Sequence, residues 1–108
     1  SLEFMRDVDV TALFSNLLAH AISAAQSSGG YIRLRVSMVR QFLSITMENS
    51  CDREPIRNAE EFVSRREGGG LGLRIIRQTV EKYGGDVQFE WKGGVFFARA
   101  MLAAESND

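Results

Sequence analysis

The residues with the clearest chemical potential are glycines beside the start of an amphipathic segment. Gly68, Gly69, Gly70 and Gly72 lie in the stretch GGGLGLRII. Glycines let a ligand approach the backbone closely, and the free N–H groups at a helix start attract anions. The stretch therefore favours a phosphate-binding turn. It lacks the Lys-Ser/Thr pair of a P-loop, and no predicted strand leads straight into it, so a flexible hinge stays open as the alternative.

A second candidate is the polar row of an earlier helix. Asn16 and His20 are one helical turn apart in NLLAHAISAA, so they share one face, and a solvated polar row is the simpler interpretation. The chain holds 1 His and 1 Cys. A four-ligand Cys/His zinc site is therefore excluded, and Cys51 has no partner for an internal disulfide, as is common in reducing compartments.

Composition indicates one globular domain. The chain has 108 residues, of which 44% are hydrophobic and 25% charged, enough for a single core. A net charge of −1 provides no field to attract nucleic acid or an acidic membrane surface. No uninterrupted apolar run approaches the roughly 18 residues of a bilayer span, and no secretory signal is visible. Residues 1–4 read as a tag remnant or as the end of an edge strand.

Periodicity predicts the elements that must position these residues. Apolar spacings of three and four predict a helix from near Val10, capped by Asp7 or Asp9 and ended by the SSGG stretch. The other predicted elements are strands at 31–38 and 42–48, a polar loop at 49–70 with a helical turn around 58–63, a helix at 71–85, strands at 86–91 and 94–102, and a frayed tail at 103–108. Hairpin turns are expected at Arg40-Gln41 and at Lys92-Gly93-Gly94. This order predicts an α+β two-layer sandwich, a mostly antiparallel sheet with helices on one face.

Four stretches in this order carry a family resemblance over residues 7–102. They are NLLAHAISAA, ITMENS, GGGLGLRIIRQTVEKYGG and FFARAML. Together they resemble the ATP-binding domain of bacterial sensor histidine kinases, in the superfamily that includes gyrase and mismatch-repair ATPases. The ENS form is similar to the peptide-sensing subgroup. The resemblance implies a Bergerat-type fold over 1–108, with ATP and Mg²⁺ as cofactors and residues 49–70 as the ATP lid.

The resemblance also implies roles for residues of the first helix and of a strand end. Asn16 matches an asparagine that assists or orients the attacking group. His20 stands where a second asparagine coordinates Mg²⁺, and a nitrogen ligand is a poor substitute because Mg²⁺ prefers oxygen. Asn49 matches an aspartate that binds the adenine amino group, and its carbonyl oxygen can accept the same hydrogen bond. Phe96 takes a position where such kinases often have a hydroxyl, so one polar contact under the adenine is missing.

The phosphates are implied to lie at the glycine turn beside basic lid residues. The nucleotide-binding residues implied there are Arg65, Arg66, Gly70, Leu71, Gly72 and Leu73. Solvated loop charges explain the two arginines equally well. The acceptor histidine of such kinases lies on a separate upstream helical domain, so His20 is not expected to be phosphorylated.

The function implied is the cytoplasmic catalytic domain of a kinase held in the bacterial cell membrane. It would bind Mg-ATP and pass the γ-phosphoryl to a histidine on the upstream dimerisation domain, serving a response regulator indirectly. No contact of this fragment with nucleic acid or membrane is expected. One alternative is a degenerate regulatory or dimer module that binds nucleotide weakly or not at all, because His20 replaces the Mg-binding asparagine. A serine kinase acting on an anti-sigma partner uses a similar fold and is the third hypothesis.

Overall fold

The computed structural model describes residues 2–26, 30–52, 56–58, 61–63 and 71–104. Two helices, a four-stranded sheet and a two-stranded sheet account for the regular structure of these ranges. In chain order the elements are α1 (Asp7–Gln26), β1 (Ile32–Val39), β2 (Phe42–Ser50), β3 (Ile56–Asn58), β4 (Glu61–Val63), α2 (Leu71–Lys82), β5 (Asp86–Lys92) and β6 (Val95–Ala103).

The main sheet has four strands in the order β1-β2-β6-β5, and every neighbouring pair is antiparallel. Both helices pack on one face, α1 mainly over β2 and α2 over β5 and β6. Because side chains alternate along a strand, one side of each strand faces these helices. The predicted α+β two-layer sandwich is therefore confirmed.

The core lies between the helices and the sheet. Its most completely buried side chains are Leu13, Leu17, Leu43, Ile45, Met47, Ile76, Val80, Val87, Phe96 and Leu102. The three-and-four spacing of the helical members and the alternation of the strand members are the patterns read from the sequence. By length and composition alone, α1 would also qualify as a membrane-crossing helix. That criterion is weak, since a helix that packs into a core has the same composition.

The predicted hairpins are confirmed by their backbone conformations. Gly93 and Gly94 both have positive φ, 58° and 81°, the combination that a type I′ turn needs between twisted strands. Arg40 adopts φ 58° in the turn between β1 and β2. Gly84, with φ 68°, ends α2 in the left-handed conformation typical of a helix C-terminus.

Two sequence predictions about local structure are wrong. The helical turn expected around 58–63 is a strand pair, in which Ile56 lies opposite Val63 and Asn58 opposite Glu61. Backbone pairing between neighbouring segments outweighs a weak local helical preference. The first helix begins at Asp7 rather than near Val10, because the carbonyl of Arg6 already accepts hydrogen bonds from the N–H groups of Asp9 and Val10. Neither aspartate is the cap residue.

The edge strand β1 is less covered than its alternation predicts. Ile32, Leu34, Val36 and Met38 point to the helix side of the sheet, opposite buried residues of β2, yet are between 37% and 47% exposed. The reason is geometric, since α1 lies mainly over β2. The apolar half of β1 therefore borders the core instead of belonging to it.

Candidate functional site

The candidate site lies at the end of the sheet where β2 stops and β6 starts. Asn49, near the end of β2, is paired across the strands with Phe96 of β6, and both side chains face the helices. His20 reaches the same place from α1, with its ring centroid 4.7 Å from that of Phe96. Two of the residues predicted to bind nucleotide are therefore brought together, with Phe96 between them.

Asn49 is buried, and the carbonyl end of its side chain has no hydrogen-bond partner in the described ranges. Its exposure is 0%, and its Nδ2 donates to the Ser50 carbonyl at 3.0 Å. Its Oδ1 is also buried and accepts no hydrogen bond from any part of the chain that the structure describes. A buried acceptor left unsatisfied costs about 1–3 kcal/mol, so such atoms commonly meet a partner in the functional state. Oδ1 is thus suited to a donor brought by a ligand.

Neighbouring backbone and indole groups hold this strand end in place. The Cys51 N–H donates to the Gly94 carbonyl at 2.8 Å, and the Trp91 indole Nε1–H donates to the Cys51 carbonyl at 2.9 Å. Nothing local in the sequence predicts this indole contact, because Trp91 and Cys51 lie 40 residues apart along the chain. These bonds fix the backbone that follows Asn49, and with it the direction of the amide.

His20 is turned into the core and not along a solvated polar row. Its exposure is 7%, and its ring lies at 49° to the Phe96 ring. The helix phase therefore places it nearer the apolar face than the sequence suggested. A neutral imidazole offers nitrogen where Mg²⁺ prefers oxygen, and no cluster of three or more His, Cys, Asp or Glu suited to a metal occurs in the described ranges. His20 therefore does not fit the magnesium role that the resemblance assigns to its position.

Asn16 lies one helical turn before His20 and is partly buried. Its Nδ2 donates to the Ala12 carbonyl at 2.6 Å. This local bond holds the amide nitrogen against the helix backbone, so Oδ1 is the end of the side chain that can accept from a ligand or a nucleophile. Its predicted role in orienting an attacking group stays a prediction.

The start of α2 meets the chemical requirements of a phosphate site. Its first turn contains no acidic residue, so within the described residues of that turn no carboxylate repels an anion from the positive end of the helix dipole. Leu73 is 4% exposed, so it can offer only its backbone N–H, whereas Gly72 carries no side chain to block approach. Arg74, exposed in the same turn, is a cation that the sequence analysis did not select. The sequence feature that could have identified Arg74 is its position just after the glycine turn.

The structure describes little of the remaining predicted site residues. Arg65, Arg66 and Gly70 lie outside the described residues, and only the backbone of Leu71 is described, as the first residue of α2. Their roles stay predictions from sequence.

A family model matches nearly the whole chain. The family model described as the GHKL domain matches residues 5–103. This chain is a GHKL domain. None of the curated proteins matches it closely enough to count as a sequence relative.

Solved histidine kinase structures share the fold of this GHKL domain. Acinetobacter baumannii histidine kinase AdeS matches with TM-score 0.68 and 16% identity, over 91% of this chain and 47% of that one. The histidine kinase domain of the Erythrobacter litoralis blue-light activated kinase EL346 matches with TM-score 0.68 and 24% identity, over 89% and 43%. The catalytic domain of histidine kinase ThkA, in a nucleotide-free form, matches with TM-score 0.69 and 22% identity, over 90% and 67%. The chain thus spans less than half of the first two structures.

Proposed function

We propose that this GHKL domain is the ATP-binding catalytic domain of a sensor histidine kinase. The observation that carries the proposal is the Asn49 Oδ1, a buried acceptor near the end of β2 that has no donor in the described chain. The exocyclic amino group of adenine is a donor of the right kind. Burial strengthens such a bond, because no water competes for the acceptor.

The phosphates then lie toward the first turn of α2. The backbone N–H groups of Gly72 and Leu73 and the positive end of the helix dipole attract them, and Arg74 adds a cation to the same turn. Arg65 and Arg66 precede this turn in sequence and would contribute guanidinium groups suited to phosphate oxygens. Adenine and phosphate would be held by different elements, which fixes the orientation of the nucleotide.

The reaction proposed is phosphoryl transfer to a histidine outside this fragment. The bond between the γ-phosphorus and the β–γ bridging oxygen breaks, a phosphorus–nitrogen bond forms on the imidazole, and ADP leaves while the nitrogen gives up its proton. Positioning dominates catalysis of such transfers. Asn16, with its amide nitrogen held by Ala12, would orient the incoming imidazole through Oδ1.

The parent protein is proposed from the resemblance of the motifs. It would contain an upstream dimerisation domain with the acceptor histidine, serve a response regulator indirectly, and belong to the peptide-sensing subgroup suggested by the ENS strand end. This domain would be cytoplasmic, and the parent would lie in the bacterial cell membrane.

A second candidate function is a regulatory module with little or no nucleotide binding. It is favoured by one observation, the packing of His20 against Phe96 at a position where the resemblance expects a magnesium ligand. The two candidates differ in whether the site recognises adenine at all.

Calorimetric titration with ATP and with GTP separates them. ATP is expected to bind at least about tenfold more tightly than GTP, because guanine presents an acceptor, O6, where adenine presents its amino group, and a lost hydrogen bond of about 1.4 kcal/mol is a factor of ten. Equal affinities for the two nucleotides would refute adenine recognition by Asn49. No binding of either nucleotide by a folded domain would refute the proposed kinase site and favour the regulatory module.

A further inference from the structure

We infer that this domain binds adenine nucleotides without a divalent-ion contact from α1, so that its nucleotide affinity is independent of Mg²⁺. The inference rests on the proposed ATP binding and concerns how the phosphates are held. GHKL domains generally bind ATP with Mg²⁺. The residues of this chain depart from that arrangement in two ways.

The first departure is the donor atom. Mg²⁺ requires near-ideal octahedral coordination by oxygen and gives up its water reluctantly. Imidazole nitrogen suits zinc, copper, nickel and iron far better than magnesium. His20 therefore lacks the chemistry of the contact that an asparagine carbonyl would provide.

The second departure is the position of the ring. His20 is 7% exposed and its centroid is 4.7 Å from that of Phe96, which is itself 0% exposed. Phe96 also packs near Phe89, with centroids 6.0 Å apart and planes nearly parallel. Turning the imidazole toward a phosphate-bound ion would remove it from this aromatic group and leave a space beside Phe96. The packing holds the ring in the core.

A cation that can meet the phosphates is present without a metal ion. Arg74 is exposed in the first turn of α2. Guanidinium groups bind phosphate oxygens in bidentate fashion and stay charged at any physiological pH. Arg74 can therefore neutralise part of the phosphate charge. Together with the backbone N–H groups of Gly72 and Leu73, it would hold the phosphates without an ion bound to α1.

The test is titration of ATP into the wild-type chain and into His20→Asn, each with excess MgCl₂ and with excess EDTA. Wild-type affinity is expected to differ by less than about threefold between the two conditions, well below the tenfold that corresponds to one good contact. His20→Asn restores an oxygen ligand, so its affinity is expected to rise at least about tenfold with Mg²⁺. His20→Leu, which offers no ligand, is the matched control and should behave as wild type. Calorimetry or the fluorescence of Trp91, the 1 tryptophan of the chain, reports binding.

Each result decides between the inference and the proposed function. Wild-type affinity that rises tenfold or more with Mg²⁺ overturns the inference but leaves the proposed ATP site standing. A His20→Asn variant that binds ATP without any gain from Mg²⁺ shows that His20 is not the cause, which also overturns the inference. Absence of ATP binding by folded wild type and variants refutes the proposed function itself. The wild-type titration is decisive even if a variant fails to fold.

Discussion

At the scale of single residues, the site depends on two polar side chains that are both buried but differ in chemistry. Asn49 has a buried acceptor without a donor in the described chain, whereas the His20 ring packs against Phe96. Asn49 therefore has the properties of a ligand-binding residue, whereas His20 has those of a residue that packs in the core. Both residues are buried, so burial by itself does not distinguish these two roles.

Replacing Asn49 with leucine is expected to separate binding from stability. Asn49→Leu removes an unsatisfied buried acceptor with a side chain of similar size, so the free energy of unfolding should stay unchanged or rise by up to about 1 kcal/mol. ATP affinity should fall at least about tenfold, the equivalent of one hydrogen bond. Thermal unfolding and calorimetric titration measure the two effects.

Ser44→Ala is the matched control for this change, because Ser44 lies on the same strand but on the opposite, helix-free face. It should alter neither quantity. If Asn49→Leu binds ATP as tightly as wild type, Asn49 is not the adenine acceptor.

At the scale of elements, the exit of α2 is the most constrained connection. Gly84 adopts a left-handed φ of 68°, which favours glycine. Gly85 lies so close to the backbone of β6 that a side chain would not fit there. A Cβ at Gly85 would lie 1.9 Å from the Met101 carbonyl oxygen and 2.9 Å from the Leu102 Cα, and both are backbone atoms of β6. The close approach lets the Gly85 backbone lie directly against β6.

Gly85→Ala is therefore expected to destabilise the domain by about 3 kcal/mol or more, since the clash can be relieved only by moving a central strand. Gly93→Ala is the control, because a Cβ there meets nothing within 4 Å and only the φ of 58° is unfavourable, which costs about 1 kcal/mol. Chemical denaturation of both variants measures the difference. Similar losses in the two variants would show that the close approach at Gly85 is not a constraint.

At the scale of the whole molecule, one polar cluster joins the beginning of the fold to its later half. Asp9, in the first turn of α1, accepts hydrogen bonds from the Tyr83 hydroxyl and, at 2.9 Å, from Lys82 Nζ at the end of α2. The Arg6 N–H donates to the Tyr83 hydroxyl oxygen at 3.0 Å. The Tyr83 carbonyl accepts from the Ala103 N–H. The cluster fixes the two helices to each other and to β6.

The cluster predicts acid sensitivity. The Tyr83 hydrogen bond, then the Lys82 contact, lower the pKa of Asp9 below its ordinary 3.8. The folded state therefore favours the charged carboxylate, and this contribution to stability is present above pH 3.8 and is lost as the pH falls through the lowered pKa. Wild type should melt at a higher temperature than Asp9→Asn near neutral pH, and the gap should narrow in acid below that value.

Asp86→Asn, which removes an exposed carboxylate, controls for the change in net charge. Thermal unfolding across the acid range provides the measurement. A gap between wild type and Asp9→Asn that is constant from neutral to acid pH would contradict the role assigned to Asp9.

The sequence by itself determined the features that depend on near neighbours along the chain. The three-and-four spacing of apolar residues predicted both helices, and strand alternation with Gly93-Gly94 predicted the closing hairpin. The glycine turn before α2 and the ENS strand end together carried the family resemblance, and the GHKL match confirms that coarse assignment. Such signals are readable because their physical causes act over a few residues.

Only the tertiary structure decided features that depend on partners distant in sequence. The His20 ring packs against Phe96, and the Asn49 Oδ1 has no donor in the described chain. Asp9 accepts a hydrogen bond from the Tyr83 hydroxyl instead of capping a helix. The β3–β4 pair also takes the place of an expected helical turn. In each case a side chain or backbone group met a partner that local periodicity does not specify, and burial then set which of its atoms remain available to a ligand.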